Sequence, residues 1–399
     1  MINKNADGLR GVAAFSVAVA HFISAFLPMM AHKNYPQTFS ENTSPSLFFE
    51  ILTSPLISIF YNGHFAVLLF FVLSGYVLTF PYFTAEANIL SLKRRLWGRY
   101  LRLNIPIACV IFLSFIVYQM GWYKNIPAAE ISGSVIWFKN FFAEQLTLKM
   151  AVNESIYDSL VFGKHTFIPS LWTLKIEFIG SIYVLAFFIV KPKERIIIPM
   201  ILVFAILFLV HKEDSIYFYA LFLGSLLNLM KLNFRTRRLV FAIGFYLGAF
   251  QFECIAYDYL PEVLIWEKKA FYHTIGALFM ALAIIKGFGE QFFQHKFIQF
   301  LGKISFSLYL IHFIILCSLS SALYLHFPQT QIMIALNFCL YVTFCLIASK
   351  IFELMVDKPA INLSHQFSSW LLGMVKKKES TKIISGSQSS LQRLTSLTS

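Results

Sequence analysis

The chain has 399 residues, of which 58% are hydrophobic and only 13% charged, with 45 Phe and a mean hydropathy of +0.67. That composition excludes a water-soluble fold and reads as an all-α, polytopic membrane helix bundle. The formal net charge of +13 does not indicate a nucleic-acid partner, because the basic residues follow the loops between apolar runs.

Apolar stretches of about 17 to 25 residues, each able to cross a hydrocarbon core of roughly 30 Å, recur near 11–31, 64–83, 102–121, 171–190, 196–211, 215–230, 239–255, 271–288, 301–325 and 331–355. Ten spans are expected, the fifth and sixth being the shortest. With a cytoplasmic N-terminus, the basic clusters Lys93 to Arg102, Lys191 to Arg195, Lys231 to Arg238 and Lys376 to Lys378 all fall inside, as the positive-inside rule requires. An even number of spans returns the C-terminus to the cytoplasm. Lys4 and Arg10 precede the first run as they would in a signal peptide, but the run is long and lacks a small-residue cleavage pattern, so it reads as a retained span.

Within the first span, Arg10 and His21 bracket a run with Ser16 as its one polar side chain. Eleven steps of about 100° make three turns plus roughly 20°, so both side chains share a helical face, about 16 Å apart. Two outward loops follow, near 32–62 and 122–170, of the length that lids and acceptor-binding surfaces have, or that a plain covering of the bundle has. In the second, residues 135–146 (VIWFKNFFAEQL) read as an amphipathic helix lying in the membrane interface.

Between those loops, Arg95, Arg99 and Arg102 follow an i, i+4, i+7 spacing and share one face. Forked guanidiniums suit phosphates, although a topology signal and an anchor to anionic lipid use the same residues. In the fourth span, Thr173, Glu177 and Ser181 share a face and Trp172 suits the interface, while Lys175 points elsewhere. In the seventh, Gly244 and Gly248 form a Gly-x-x-x-Gly pattern that permits close helix contact.

In the ninth, Ser305, Tyr309 and His312 form a polar stripe. At 1.5 Å per residue, His21 and His312 lie roughly 13 to 16 Å deep and Glu177 about 10 Å, so three titratable groups are expected to meet near midplane. Ionisable groups at that depth persist where they line a cavity or pathway. An imidazole there can act as general base on a hydroxyl, and a carboxylate can orient it and support its charge.

Five Cys at 109, 254, 317, 339 and 345 have neither disulfide-framework nor metal-ligand spacing, so no metal is expected. No internal repeat of the inverted-transporter kind is visible. The reading divides the chain into a membrane domain, 1–360, and a cytoplasmic, basic, Ser/Thr-rich and partly disordered tail, 361–399.

These residues resemble the integral-membrane acyltransferase 3 family, whose members acylate sugars and other hydroxyl-bearing acceptors at the cell envelope. The resemblance covers about residues 5–360 and rests on Asp-Gly-Leu-Arg-Gly (7–11) with His21, on 69–78 (LFFVLSGYVL), on Arg99 and Arg102 as an Arg-x-x-Arg pair, on 171–178 (LWTLKIEF), on 301–312 (LGKISFSLYLIH) and on 357–360 (DKPA). Phe178 departs from it, standing where many members carry a second carboxylate, as does Lys175, in place of a residue often small and polar.

The resemblance implies transfer of an acyl group, usually acetyl, from cytosolic acyl-CoA as donor substrate, with no permanently bound cofactor. His21 is then the expected base, Arg10 its motif partner and Glu177 a supporting catalytic group. Arg95, Arg99 and Arg102 would hold the donor, and Ser305, Tyr309 and His312 would line the cavity. It further implies a saccharide or other hydroxyl acceptor, a multi-pass location in a bacterial inner membrane, and completion of the transfer by the membrane part itself or a separate partner. The sequence leaves the oligomeric state open. Two other readings fit parts of it: a transporter of saccharide or glycolipid intermediates, for which midplane charges would serve passage, and the unrelated membrane-bound O-acyltransferases, for which His312 would be the base.

Overall fold

A computed structural model of the chain describes residues 3–41, 46–83, 89–190 and 197–374. All regular structure among them is helical. The ten main helices are α1 (Lys4–Phe26), α2 (Gly63–Phe83), α3 (Ile89–Gln119), α4 (Trp172–Val190), α5 (Ile197–His211), α6 (Ser215–Leu226), α7 (Phe234–Gly248), α8 (Lys268–Ile285), α9 (Lys296–Ile315) and α10 (Gln331–Phe352). Each falls on one of the expected apolar stretches. Seven, namely α1 to α4 and α8 to α10 with their flanking turns, are long and apolar enough to cross a membrane. The three others have 15, 12 and 15 residues, short of the roughly 20 a crossing normally takes.

Local chemistry moves several boundaries. The first helix begins seven residues before the expected start because the Asn3 side chain accepts hydrogen bonds from the Asn5 and Ala6 amides, an N-cap that satisfies otherwise orphaned donors. It ends at Phe26, where Leu27 leaves helical geometry and Pro28 opens a new short turn. Asn233 caps α7 in the same way, through the Thr236 amide. Helix runs past residue 360 through residue 374; the remainder of the tail and the clusters Lys191 to Arg195 and Lys376 to Lys378 lie outside the described residues. The segment 135–146 is not an amphipathic helix. It forms turns and a single 3-10 turn at Phe138–Asn140, because Phe138 is buried and Trp137 turns inward to stack on the His21 imidazole.

Glycines set the spacing of the bundle. A Cβ built on Gly11 would overlap the backbone of Gly302, and one on Gly302 would overlap the Asp7 carbonyl, so α1 and α9 touch backbone to backbone. Ten residues further along each helix, His21 and His312 are again in contact. The two helices therefore run parallel and in register. The helices α2 and α6 are also parallel, with His64 near Tyr217 at one end and Thr79 near Ser225 at the other. Between α7 and α8 the direction reverses, Gly244 meeting Met280 and Gly248 meeting Gly276, so the Gly-x-x-x-Gly pattern serves packing within the chain.

Candidate active site

The parallel pair α1 and α9 runs along two cavities that share Val67 and Tyr309 in their walls. One, of about 620 Å³, lies at the N-terminal half of α1 and is lined by Arg10, Arg102, Glu177, Lys303 and Asp357 among others. The other, of about 360 Å³, lies at the C-terminal half and contains His21, His64, Tyr35, Trp137 and Trp172. The helical face common to Arg10 and His21 thus opens onto two chambers, with the cation in one and the imidazole in the other.

In the imidazole chamber, hydrogen-bond roles follow from which atoms can only accept. His312 Nδ1 lies 2.9 Å from the Leu308 carbonyl, which accepts, so Nδ1 carries the proton and Nε2 holds a lone pair. His21 Nδ1 stands 2.8 Å from that Nε2 and must donate to it. The proton on His21 is thereby fixed at Nδ1, leaving Nε2 as a bare lone pair. The imidazole is packed by Trp137, with ring centroids 5.5 Å apart, and edge-on by Phe313, also at 5.5 Å. His312 itself is wholly buried. The arrangement can accept a proton from a hydroxyl placed against His21 Nε2.

Of the three titratable groups expected to meet near midplane, only the two histidines do. Glu177 lines the larger chamber and pairs with Arg99, whose Nε also donates to Ser181 Oγ at 2.8 Å. The Arg99 side chain satisfies the carboxylate, so His312 rather than Glu177 orients His21. The basic face of α3 is likewise turned to protein partners. Arg95 donates to the Val77 carbonyl at 3.0 Å, and Arg102 meets Asp357 at 2.5 Å while lying over the Phe306 ring. Of these three arginines, Arg102 alone is in the chamber wall.

Arg10 pairs with Asp7 at 2.6 Å, and its Nε is buried without a hydrogen-bond partner. Ser305 donates to the Gly302 carbonyl at 2.9 Å and faces the larger chamber. Tyr309 stands between chambers, its hydroxyl 2.7 Å from Thr173 Oγ1 and 3.0 Å from the Ser170 carbonyl. Lys175 packs along Gly163, away from both.

Several residues of the site escaped the sequence reading. Lys303, inside the 301–312 segment, faces the larger chamber and among the described residues has no ion-pair partner. A π-helical turn, Glu353–Asp357, brings two carboxylates to the same chamber. Glu353 is held by Lys350 at 2.7 Å and Lys358 at 3.2 Å. His64 and His273 form a second imidazole pair at 2.9 Å; both lie at the ends of apolar runs, where a polar residue draws no notice. Tyr35, outside the spans, is half-buried against the smaller chamber, and loss of solvent around it pushes its phenol up to about 12, so it stays a neutral hydroxyl.

Comparison with known proteins agrees with this chemistry. The family described as an acyltransferase domain matches residues 3–353. An O-acetyltransferase of Phomopsis amygdali, PaAT-1, is 25% identical over 384 residues, covering 79% of this chain and 73% of that protein. No solved structure matches. A domain match over residues 3–353, an O-acetyltransferase relative and seven helices long and apolar enough to cross a membrane lead to one conclusion: the protein belongs to the acyltransferase 3 family and is a multi-pass membrane O-acyltransferase.

Proposed function

We propose that the chain moves an acetyl group from acyl-CoA, bound in the larger chamber, to a hydroxyl of a saccharide or related acceptor bound in the smaller one. The observation that carries this reading is the bare Nε2 of His21, fixed by the relay through His312 to the Leu308 carbonyl. His21 deprotonates the acceptor hydroxyl, the oxygen attacks the thioester carbonyl, and the acyl carbon–sulfur bond breaks to release the CoA thiolate, which recovers a proton from the imidazolium. Donor binding is supported by Lys303, free of carboxylate partners, and by the unpaired Nε of Arg10 beside Arg102, since anionic phosphates are held best by charge-assisted donors. Asp357 and Glu177 keep Arg102 and Arg99 in place rather than leaving them free for phosphate.

Ten crossings with both termini cytoplasmic are supported by helix direction. In a strict alternation of the seven long helices, α1 and α9 would be first and sixth and so opposed, yet they run parallel. Counting α5, α6 and α7 as crossings makes α1 and α9 both odd, and α2 and α6, also parallel, both even. The larger chamber then opens to the cytoplasm, where acyl-CoA is made, and a bacterial inner membrane suits that arrangement.

The test is transfer of labelled acetyl from acetyl-CoA in membranes carrying the wild-type chain or His21→Ala. The reading expects label in acceptor with wild type only. Equal transfer by both overturns it, and solute passage without acetyl-CoA consumption favours a transporter instead.

A further inference from the structure

The smaller chamber is lined by three imidazoles, His21, His64 and the exposed His165, which is turned to the Gly163 carbonyl at 2.9 Å, and the chemistry above uses one. His64 sits in the first turn of α2, which Asn62 caps by accepting the Phe65 amide at 3.2 Å. Gly63 lets this turn approach α1 closely, since a Cβ there would stand 3.2 Å from the Ala20 side chain. The residue before His64 therefore lies beside the residue before His21, and both imidazoles face the same space.

Behind His64 runs a second relay. His273 Nε2 lies 3.1 Å from the Phe250 carbonyl and 3.4 Å from Asn62 Nδ2. The carbonyl is the nearer and can only accept, so Nε2 carries the proton. His273 Nδ1 then accepts from His64 Nδ1 at 2.9 Å. That leaves a lone pair on His64 Nε2, which the Tyr217 hydroxyl meets at 3.2 Å, a long bond for an O–H donor. His273 is wholly buried and His64 half-buried, so His64 is the end the chamber can reach.

The wall around it is held firmly. Lys269, 2% exposed, donates to the Asn34 carbonyl at 2.5 Å and lies 3.6 Å from the Tyr35 ring centre, while Asn34 Oδ1 accepts from Asn62 at 3.1 Å. A rigid wall presenting a weakly engaged lone pair beside the base is suited to recognising a hydroxyl.

Resting on the acyl-transfer reading above, we propose that His64 is a specificity-determining acceptor contact, whose Nε2 accepts a second acceptor hydroxyl in place of Tyr217, so that the enzyme takes polyols over lone alcohols. One neutral hydrogen bond gives a preference of about five- to tenfold.

The test uses the full-length protein in detergent with labelled acetyl-CoA and two probes of matched ring size, methyl glucopyranoside and cyclohexylmethanol. Wild type is expected to favour the glucoside about five- to tenfold in kcat/KM. His64→Asn keeps a polar atom toward His273 but none at the Nε2 position, and is expected to bring the ratio near one through the glucoside KM. His64→Gln restores a polar atom at that position and keeps the ratio, and Tyr217→Phe keeps or raises it. An unchanged ratio in His64→Asn overturns the proposal, as does loss of the ratio in His64→Gln with retention in His64→Asn, the pattern of a bond that only joins helices. No preference in wild type, or acetyl-CoA cleavage without transfer to either probe, also overturns it. No acetyl-CoA cleavage at all instead removes the acyl-transfer reading on which it rests.

Discussion

Two imidazole pairs face the same chamber, each anchored to a backbone carbonyl, yet they end differently. The pair from α1 and α9 finishes on His21 with a lone pair that no group among the described residues engages, whereas the pair from α8 and α2 finishes on His64 with its lone pair met by Tyr217. On the proposed reading, the same device gives a base where the terminal nitrogen is open and a recognition element where a weak internal donor occupies it. What distinguishes chemistry from binding here is the last contact rather than residue type or burial.

Removing the open end should have the largest effect. His21→Ala is expected to lower kcat for acetyl transfer by about 10² to 10⁴, the usual contribution of a positioned base, and steady-state assays with labelled acetyl-CoA measure it. Removing the anchor should have less effect: His312→Ala frees His21 to take either tautomer and is expected to cost about 10- to 100-fold in kcat with acceptor KM held. A loss confined to KM would mean that His312 binds substrate instead of orienting the base.

The two chambers can be compared next. Lys303→Ala is expected to raise donor KM about tenfold, as loss of a charge-assisted bond would. Arg99→Ala should chiefly lower stability, by about 1.5 to 3 kcal/mol for loss of a charged hydrogen bond at a half-buried pair, and thermal unfolding in detergent separates the two outcomes. The smallest change is expected at the anchor of the second pair, where His273→Ala should raise acceptor KM by about threefold, a single neutral hydrogen bond at the low end of its range, and leave kcat alone. A fall in kcat matching that of His312→Ala would erase the distinction between the pairs.

Arg10, His21 and His312 were legible because an ionisable side chain in an apolar run stands out against its insertion cost. The helix face carrying Arg95, Arg99 and Arg102 was equally legible from its spacing. Their partners were not: Arg99 finds Glu177 on α4, and Arg102 finds Asp357 across 255 positions of chain, and periodicity says nothing about which helices adjoin. His64 and His273 were overlooked because a histidine at the edge of an apolar run resembles any interfacial residue. Trp137 was misread for the same reason, since an aromatic loop facing lipid and one folded over a cavity have the same composition. The ten helices follow hydrophobicity closely, while their ends follow caps and prolines such as Asn3 and Pro28.

The contact between His21 and His312 joins residues 291 positions apart. At about 5 to 20 residues per second of synthesis, the first helix waits roughly 15 to 60 s in the membrane before its partner exists. During that interval its glycine face and its imidazole have no mate, and neither chamber has its shared wall. On the proposed reading, acyl transfer begins only once the ninth helix has inserted beside the first.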